Sequence, residues 1–290
     1  MASPNTFAGV ALDRAAEHRR DPEWLAARLA DAGSAAIVTT PDGLYVAADD
    51  PPRPALVPLA GIRDPVLLGL REGRALFAAD AEAVPAEQLG AGRAATLRDA
   101  GGLLSQADAG LAAYAVAMLN WHRRNRFCGV CGTPTDVAEA GHVRHCPNCG
   151  AQHHPRTDPV VIVLVTDGER ALLGRQARWP PGRYSALAGF VEPGEAIEDA
   201  VAREVREESD IEISAALYRS SQPWPFPASL MLGFIADYAS GDPSPRDHEL
   251  EDVRWFSRDE LLAIRDGRRD GLGLPPPIAI ARRLLDGWLD

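Results

Sequence analysis

The stretch Gly189 to Ile211, GFVEPGEAIEDAVAREVREESDI, restricts what this chain can fold into more than any other. A turn at Glu192-Pro193-Gly194 leads into good helix formers from Glu195 to about Glu208. Ile197, Ala200, Val201 and Val205 recur at helical spacing, which predicts a buried face. Glu204 and Glu208 follow Ile197 by seven and eleven positions. At about 100° per residue both project within about 20° of it, while Glu207 lies off one flank. Two carboxylates therefore continue an apolar stripe inward. Burying them unpaired is costly, so the helix needs a cation, a hydrogen-bond network or a proton. Glu204 and Glu208, one turn apart, can share an oxygen-loving divalent ion that Glu207 also reaches. Arg203, four residues from both Asp199 and Glu207, is placed to grip a flanking carboxylate with two hydrogen bonds. The plainer reading is an ordinary helix with a Glu/Arg surface.

The 290 residues suffice for more than one core, and 46% hydrophobic with 24% charged residues is ordinary for a globular protein. No apolar run approaches the ~20 residues of a membrane span, and the first residues lack the pattern of a secretory signal. A cytoplasmic location follows as the expectation. The net charge is −11, and all 30 basic residues are Arg. An acidic chain is a poor non-specific nucleic-acid binder, so an anionic substrate would need metal ions or a few local Arg residues.

All four cysteines fall in one short segment, as Cys128-Gly129-Val130-Cys131 and Cys146-Pro147-Asn148-Cys149. Two such knuckles predict one tetrahedral zinc held by Cys128, Cys131, Cys146 and Cys149, with Gly129, Gly132 and Gly150 in the tight turns. Four thiolates leave no open position, so this zinc is structural and His142, His145, His153 and His154 are not further ligands. Two redox CxxC pairs are the other reading. His18 and His122 stand alone and read as surface or packing residues.

Before the knuckles, short apolar runs at Ala35–Val38, Leu44–Val46, Ala55–Val57, Val66–Leu68 and Ala75–Phe77 predict a small mixed or mainly antiparallel sheet. A helix from Asp108 follows, with Leu111, Tyr114, Ala115, Met118, Leu119 and His122 on one face. After them, Pro159–Val165 reads as a buried strand, turning at Asp167-Gly168 into Arg170–Arg175. Further strands are expected at Ala216–Ser220, Leu230–Tyr238 and Val253–Phe256, a loop at Ser240–Asp247, and a last helix at Ile278–Leu289. The chain thus divides into 1–122, 123–155 and 156–290, and its class is α+β.

Ser221-Gln222-Pro223-Trp224-Pro225-Phe226-Pro227-Ala228-Ser229 is the second unusual stretch. Alternating prolines stiffen it and hold Trp224 and Phe226 in defined orientations. Such aromatics suit stacking on a base, while Ser221, Gln222 and Ser229 can hydrogen-bond sugar or phosphate. A Pro-rich connection whose aromatics cap the core is the alternative.

Gly189, Glu195, Arg203-Glu204-Val205, Glu207-Glu208 and Ile211 resemble the Nudix box, G-x5-E-x7-R-E-U-x-E-E-x-G-U. Asp210 stands where that family has Gly. The Gly would end the helix in a left-handed conformation that Asp tolerates better than most residues. SQPWPFPxS, the four-cysteine ribbon, Trp121-His122-Arg123-Arg124 and Ile280-Ala281-Arg282-Arg283 are similar to the NADH pyrophosphatase subgroup, from about residue 96 onward. The resemblance implies a Nudix α/β/α sandwich preceded by a zinc ribbon and a smaller mixed domain. It implies hydrolysis of NADH or NAD to AMP and the nicotinamide mononucleotide, removal of NAD caps from RNA, and a homodimer.

Carried over by position, it implies Mg²⁺ or Mn²⁺ on Glu204, Glu207, Glu208, Glu249 and the Ala188 carbonyl, with Glu208 as general base. It implies substrate contacts from Phe190, Gln222, Pro223, Trp224, Pro225, Phe226, Pro227, Ala228, Ser229 and Ala281. Gly189, Glu195 and Arg203 support the site. His154 stands where the subgroup has Tyr, in a position that can reach a partner's site, and Gly141 where some members carry an acidic substrate contact. Two other functions keep part of this pattern: a Nudix hydrolase of ADP-ribose or a nucleotide sugar, and a non-catalytic nucleotide-binding zinc-ribbon protein.

Overall fold

The apolar runs of the first hundred residues can bury their faces only against one another and a helix. In the computed structural model, which describes residues 5–246 and 249–290, they do so behind a short helix, α1 (Pro22–Ala30). The strands are β1 (Ala35–Thr39), β2 (Gly43–Val46), β3 (Leu56–Pro58), β4 (Val66–Arg71), β5 (Arg74–Asp80) and β6 (Arg93–Thr96). Their order is β4-β5-β1-β2-β6, with β3 also beside β1. Only β1 and β5 run parallel, so the sheet is mixed as expected. Helices α2 (Leu97–Gly101) and α3 (Gln106–Arg124) follow. α3 buries Leu111, Ala115, Met118, Leu119 and His122 against the sheet, with Tyr114 half-buried. Its start is fixed by Ser105, whose hydroxyl accepts the Asp108 N–H at 3.2 Å.

The cysteine segment forms a small antiparallel sheet of β7 (Asp136–Ala138), β8 (Val143–His145) and β9 (Gln152–His153). Histidines bolt it to the first domain. His122 Nε2 meets the Gly141 carbonyl at 2.8 Å, while Arg144 donates to its Nδ1 at 3.0 Å. His142 Nε2 meets the Leu67 carbonyl at 2.8 Å. Burial pushes both imidazoles down to about 4, so they are neutral links. Gly141 has φ 95, and a Cβ there would lie 2.8 Å from Val66 Cγ1. A longer side chain at 141 has no room.

The third unit contains β10 (Asp158–Thr166), β11 (Arg170–Arg175), β12 (Leu187–Phe190), helix α4 (Ile197–Ser209), β13 (Glu212–Trp224), β14 (Ser229–Ser240), β15 (Asp252–Ser257), α5 (Arg258–Arg265) and α6 (Ile280–Leu289). The sheet order is β13-β14-β10-β11-β15, with β12 also on β10, and β10 runs parallel to β14. Period-two alternation along β10 feeds two cores. Val161, Val163 and Val165 pack toward α4; Ile162 and Leu164 pack toward α6. The result is the expected α/β/α sandwich.

Several expectations change. Helix α4 begins at Ile197, not Glu195, and Ile197 is 37% exposed because the first turn precedes the part of the helix that meets the sheet. Ser221–Ser229 is not a free loop: β13 runs through Trp224, which pairs with Ser229 across a hairpin turn. Pro223 is tolerated because β13 is an edge strand and needs no donor on its open side. Gly129 does not take positive φ, whereas Gly132 and Gly150 do. The last helix starts at Ile280, and Asp247 of the expected loop lies outside the described residues. Among the described residues no helix is long and apolar enough to cross a membrane.

Candidate active site

Helix α4 turns its two carboxylates inward. Glu204 is 9% exposed and Glu208 2%. Each is received by β12. The Ala188 N–H donates to Glu208 Oε2 at 2.9 Å. Gly189 receives Glu204 by having no side chain: a Cβ there would sit 2.0 Å from the carboxyl carbon and 2.1 Å from both oxygens. Burial raises the Glu204 carboxyl above its ordinary value, the hydrogen bond from Arg203 opposes this, and Glu207 and Glu249 add to the rise. Glu207 is half-exposed on the flank, and Glu249 is exposed.

Arg203 organises this end of the helix. Its Nε and Nη2 fork onto Glu195 at 2.7 and 2.9 Å. Nη1 reaches Glu204 and Glu207, both at 2.8 Å, and Nη2 also donates to the Phe190 carbonyl at 2.9 Å. The two-pronged contact thus goes to Glu195, and Asp199 is not among its partners. The guanidinium holds the Glu195 carboxyl down at about 2. Asp210 ends the helix at φ 59, ψ 21, its N–H on the Arg206 carbonyl and its carboxylate on Arg246 at 2.7 Å. The left-handed cap is made without Gly.

A cleft of about 380 Å³ opens beside Glu208 and Ala188. Trp224, Gln222 and Ala281 line it too, so these expected residues converge. Three arginines that the sequence reading missed also line it: Arg98, Arg178 and Arg183. Arg178 and Arg183 bracket Trp179-Pro180-Pro181-Gly182, a rigid turn that is itself a visible signal. Gly182 has φ 74, and a Cβ there would lie 1.7 Å from the Gly271 carbonyl, so only Gly lets this turn dock on 271–273. Arg98 comes from α2 of the first domain and lies over the rings of Trp224 (5.0 Å) and Phe226 (4.1 Å). Burial lowers its pKa. No signal near Arg98 in the sequence marks it, because its role depends on how two domains dock.

Other expected contacts fall elsewhere. Pro225, Phe226 and Pro227 line a neighbouring hollow that shares Arg98. Phe190 is 59% exposed at the end of β12, and His154 is exposed outside the cleft lining. The Gln222 amide already has a use. It donates to the carbonyls of Thr6 (2.9 Å) and Ile278 (2.7 Å) and accepts the Ile280 N–H (2.8 Å). Fully buried and fully engaged, it is a strut between chain segments and not a free donor to sugar or phosphate.

In the ribbon the four Sγ atoms all lie within 4.8 Å of one another, with Cys128–Cys149 at 3.6 Å and Cys131–Cys146 at 3.5 Å. Tetrahedral zinc with ~2.3 Å bonds needs sulfurs about 3.8 Å apart, so the donors fit it. Hydrogen bonding with Thr133 holds the Cys131 thiol down at about 5, favouring the thiolate form. His153 sets Nε2 3.3 Å from Cys128 Sγ, beside the thiolates and not in their ring. This is a structural zinc site, closed to chemistry.

Residues 155–272 match the family model of the NUDIX domain, the class that the sandwich, the box helix and the glycine cradle define. Residues 123–153 match the NADH pyrophosphatase zinc ribbon domain, and residues 16–121 the NADH pyrophosphatase-like rudimentary NUDIX domain. The NAD-capped RNA hydrolase NudC of Chromobacterium violaceum is 44% identical over 233 residues, covering 80% of this chain and 82% of that protein. NudC of Stutzerimonas stutzeri is 48% identical over 179 residues, 62% of this chain and 61% of that one. Human NAD-capped RNA hydrolase NUDT12 is 44% identical over 197 residues, 64% of this chain but 43% of its own length. The chain belongs to the NADH pyrophosphatase subgroup of the Nudix hydrolase superfamily.

Proposed function

We propose that this protein hydrolyses the pyrophosphate bond of NADH or NAD, yielding AMP and NMNH or NMN, and removes NAD caps from RNA. The observation that carries the reading is the pair of buried carboxylates, Glu204 and Glu208, docked on β12 beside an arginine-lined cleft. The names of the relatives supply the substrate class.

The residues that would hold Mg²⁺ or Mn²⁺ are Glu204, Glu207, Glu208, Glu249 and the Ala188 carbonyl, an all-oxygen set suited to a hard cation. Such an ion, when bound, neutralises charge on the pyrophosphate and lowers the pKa of water. Glu208 accepts the proton of the attacking water at its carboxylate. Arg98, Arg178 and Arg183 bind the anionic bridge, and Trp224 orients the base. Arg203 and Glu195 keep the ligand helix fixed against β12. The domain limits 1–122, 123–155 and 156–290, a homodimer in which His154 reaches the partner's site, and a cytoplasmic location complete the proposal. Exposed Phe127 and Val130 on the ribbon support the dimer.

Product analysis after incubation with NADH tests it. AMP and NMNH should appear with Mg²⁺ and not without divalent metal. ADP-ribose or a nucleotide sugar cleaved in preference to NADH reassigns the substrate, and no AMP from any of them overturns the hydrolase.

A further inference from the structure

All three family matches start at residue 16 or later, yet the segment before residue 9 clamps the substrate hairpin to the first domain. β13 is an edge strand, so only β14 holds it laterally, and its register shifts between Tyr218 and Ser220. Asn5 grips the strand at that irregularity. Its side chain, 4% exposed with the whole residue, donates from Nδ2 to Ser220 Oγ at 3.0 Å and to the Ser221 carbonyl at 2.8 Å. The Gln222 strut bonds the next residue's carbonyl, that of Thr6. From the opposite side Gln106 of α3 donates to the carbonyls of Asn5 at 2.8 Å and Ala8 at 2.7 Å.

Phe7 then inserts its ring, 2% exposed, beneath the hairpin tip. Its centroid is 6.0 Å from Trp224 and 6.1 Å from Phe226, with interplanar angles of 59° and 64°. To do this Phe7 adopts φ 71, a region that non-glycine residues seldom enter. Two glycines clear the path. A Cβ on Gly101 would lie 2.5 Å from Phe7 Cζ, and one on Gly110 would lie 3.1 Å from the Val10 nitrogen. An unfavourable dihedral persists only where its surroundings over-determine it, and such residues gather at functional sites.

We propose that Asn5 to Phe7 form a positioning strap, which by packing under the Trp224–Phe226 tip sets Trp224 and the Arg98 guanidinium over it as one wall of the dinucleotide cleft. Neither Asn5 nor Phe7 lines that cleft, so both act through the hairpin. The inference rests on the cleft being the NADH site.

The test uses the full-length protein with Phe7→Ala, Phe7→Leu and Asn5→Ala, reading NADH turnover with Mg²⁺ and calorimetric NAD binding. Phe7→Ala should raise KM for NADH about tenfold with kcat within about twofold, the pattern of binding lost equally in ground and transition states. Phe7→Leu should return KM to within about threefold of wild type, and NAD affinity should follow the same order. An unchanged KM in a cooperatively melting Phe7→Ala protein, or a fall in kcat alone, overturns the strap. If Phe7→Ala does not fold, Asn5→Ala decides, since it removes two hydrogen bonds and no ring: a KM rise of about threefold supports the proposal and an unchanged KM overturns it. If wild type releases no AMP, the hydrolase reading fails and NAD binding judges the strap. Weaker binding by the variants then supports it; equal binding, or none by wild type, overturns it.

Discussion

Helices α3 and α4 each lie across a mixed sheet, and each buries an ionisable group. In α3 that group is His122, which burial drives neutral, at about 4, while alanines, leucines and Met118 fill the rest of the face. In α4 two carboxylates face inward, and Arg203, the Ala188 N–H and the absent side chain of Gly189 are arranged around them. The first helix discharges its polar group and becomes scaffold. The second surrounds its groups with partners, and at Glu204 the hydrogen bond from Arg203 works against the upward push of burial. The rudimentary and the complete domain share their strand order, but the described residues between β3 and β4 form no helix where α4 stands between β12 and β13, and α3 follows the last strand of its sheet as α6 does.

The comparison can be broken most directly at Glu208. Glu208→Gln should lower kcat on NADH by about two to four orders of magnitude, with an unchanged melting temperature. Near-normal turnover would make α4 as much a scaffold as α3. Gly189→Ala forces the Glu204 carboxylate off β12 and should cost about a hundredfold in kcat, the scale of a 1 Å misplacement. Wild-type kcat in that protein would show the cradle to be idle.

On the scaffold side, pH separates the helices. His122 and His142 have folded values near 4, below the unfolded 6.5, so the unfolded chain binds more protons on acidification. Their contribution is complete above about pH 6.5 and is lost as pH falls toward 4, by at most about 1.4 kcal/mol per pH unit for each histidine. Urea melts at pH 7 and pH 5 read the slope, and His122→Gln should reduce it by about one proton. The smallest effect is expected at the α4 cap. Asp210→Gly relieves a left-handed residue but loses an exposed pair with Arg246, so stability should change by less than about 1 kcal/mol, with kcat unaltered. A larger loss in thermal melts would assign Asp210 more than capping.

What periodicity and spacing could read were the elements with one dominant pattern. β10 with its partner β11, the face of α3, the inward Glu204 and Glu208, and the four-cysteine ring each state their geometry locally. What escaped them depends on docking. Arg98 becomes part of the cleft only because α2 meets the hairpin, and Gln222 becomes a strut only because Thr6 and Ile278 arrive on either side of it. Ile197 satisfies the helical spacing but lies at an end where no partner covers it. Short helices such as α1, whose residues are none of them buried, carry too weak a stripe to be seen.

Strand β10 has a consequence for alignment. Near its beginning Asp158 pairs with Ser229 and Val160 with Phe190, and the Asp158 N–H is bonded to the Ala228 carbonyl at 2.8 Å. The aromatic tip and the carboxylate-bearing segment therefore hang from the same three-residue peg, one on each flank. A tilt or slide of that peg carries both together, and their mutual spacing survives. The ribbon joins the chain just upstream, so whatever strain it transmits arrives as a common displacement, leaving the two halves of the site in step.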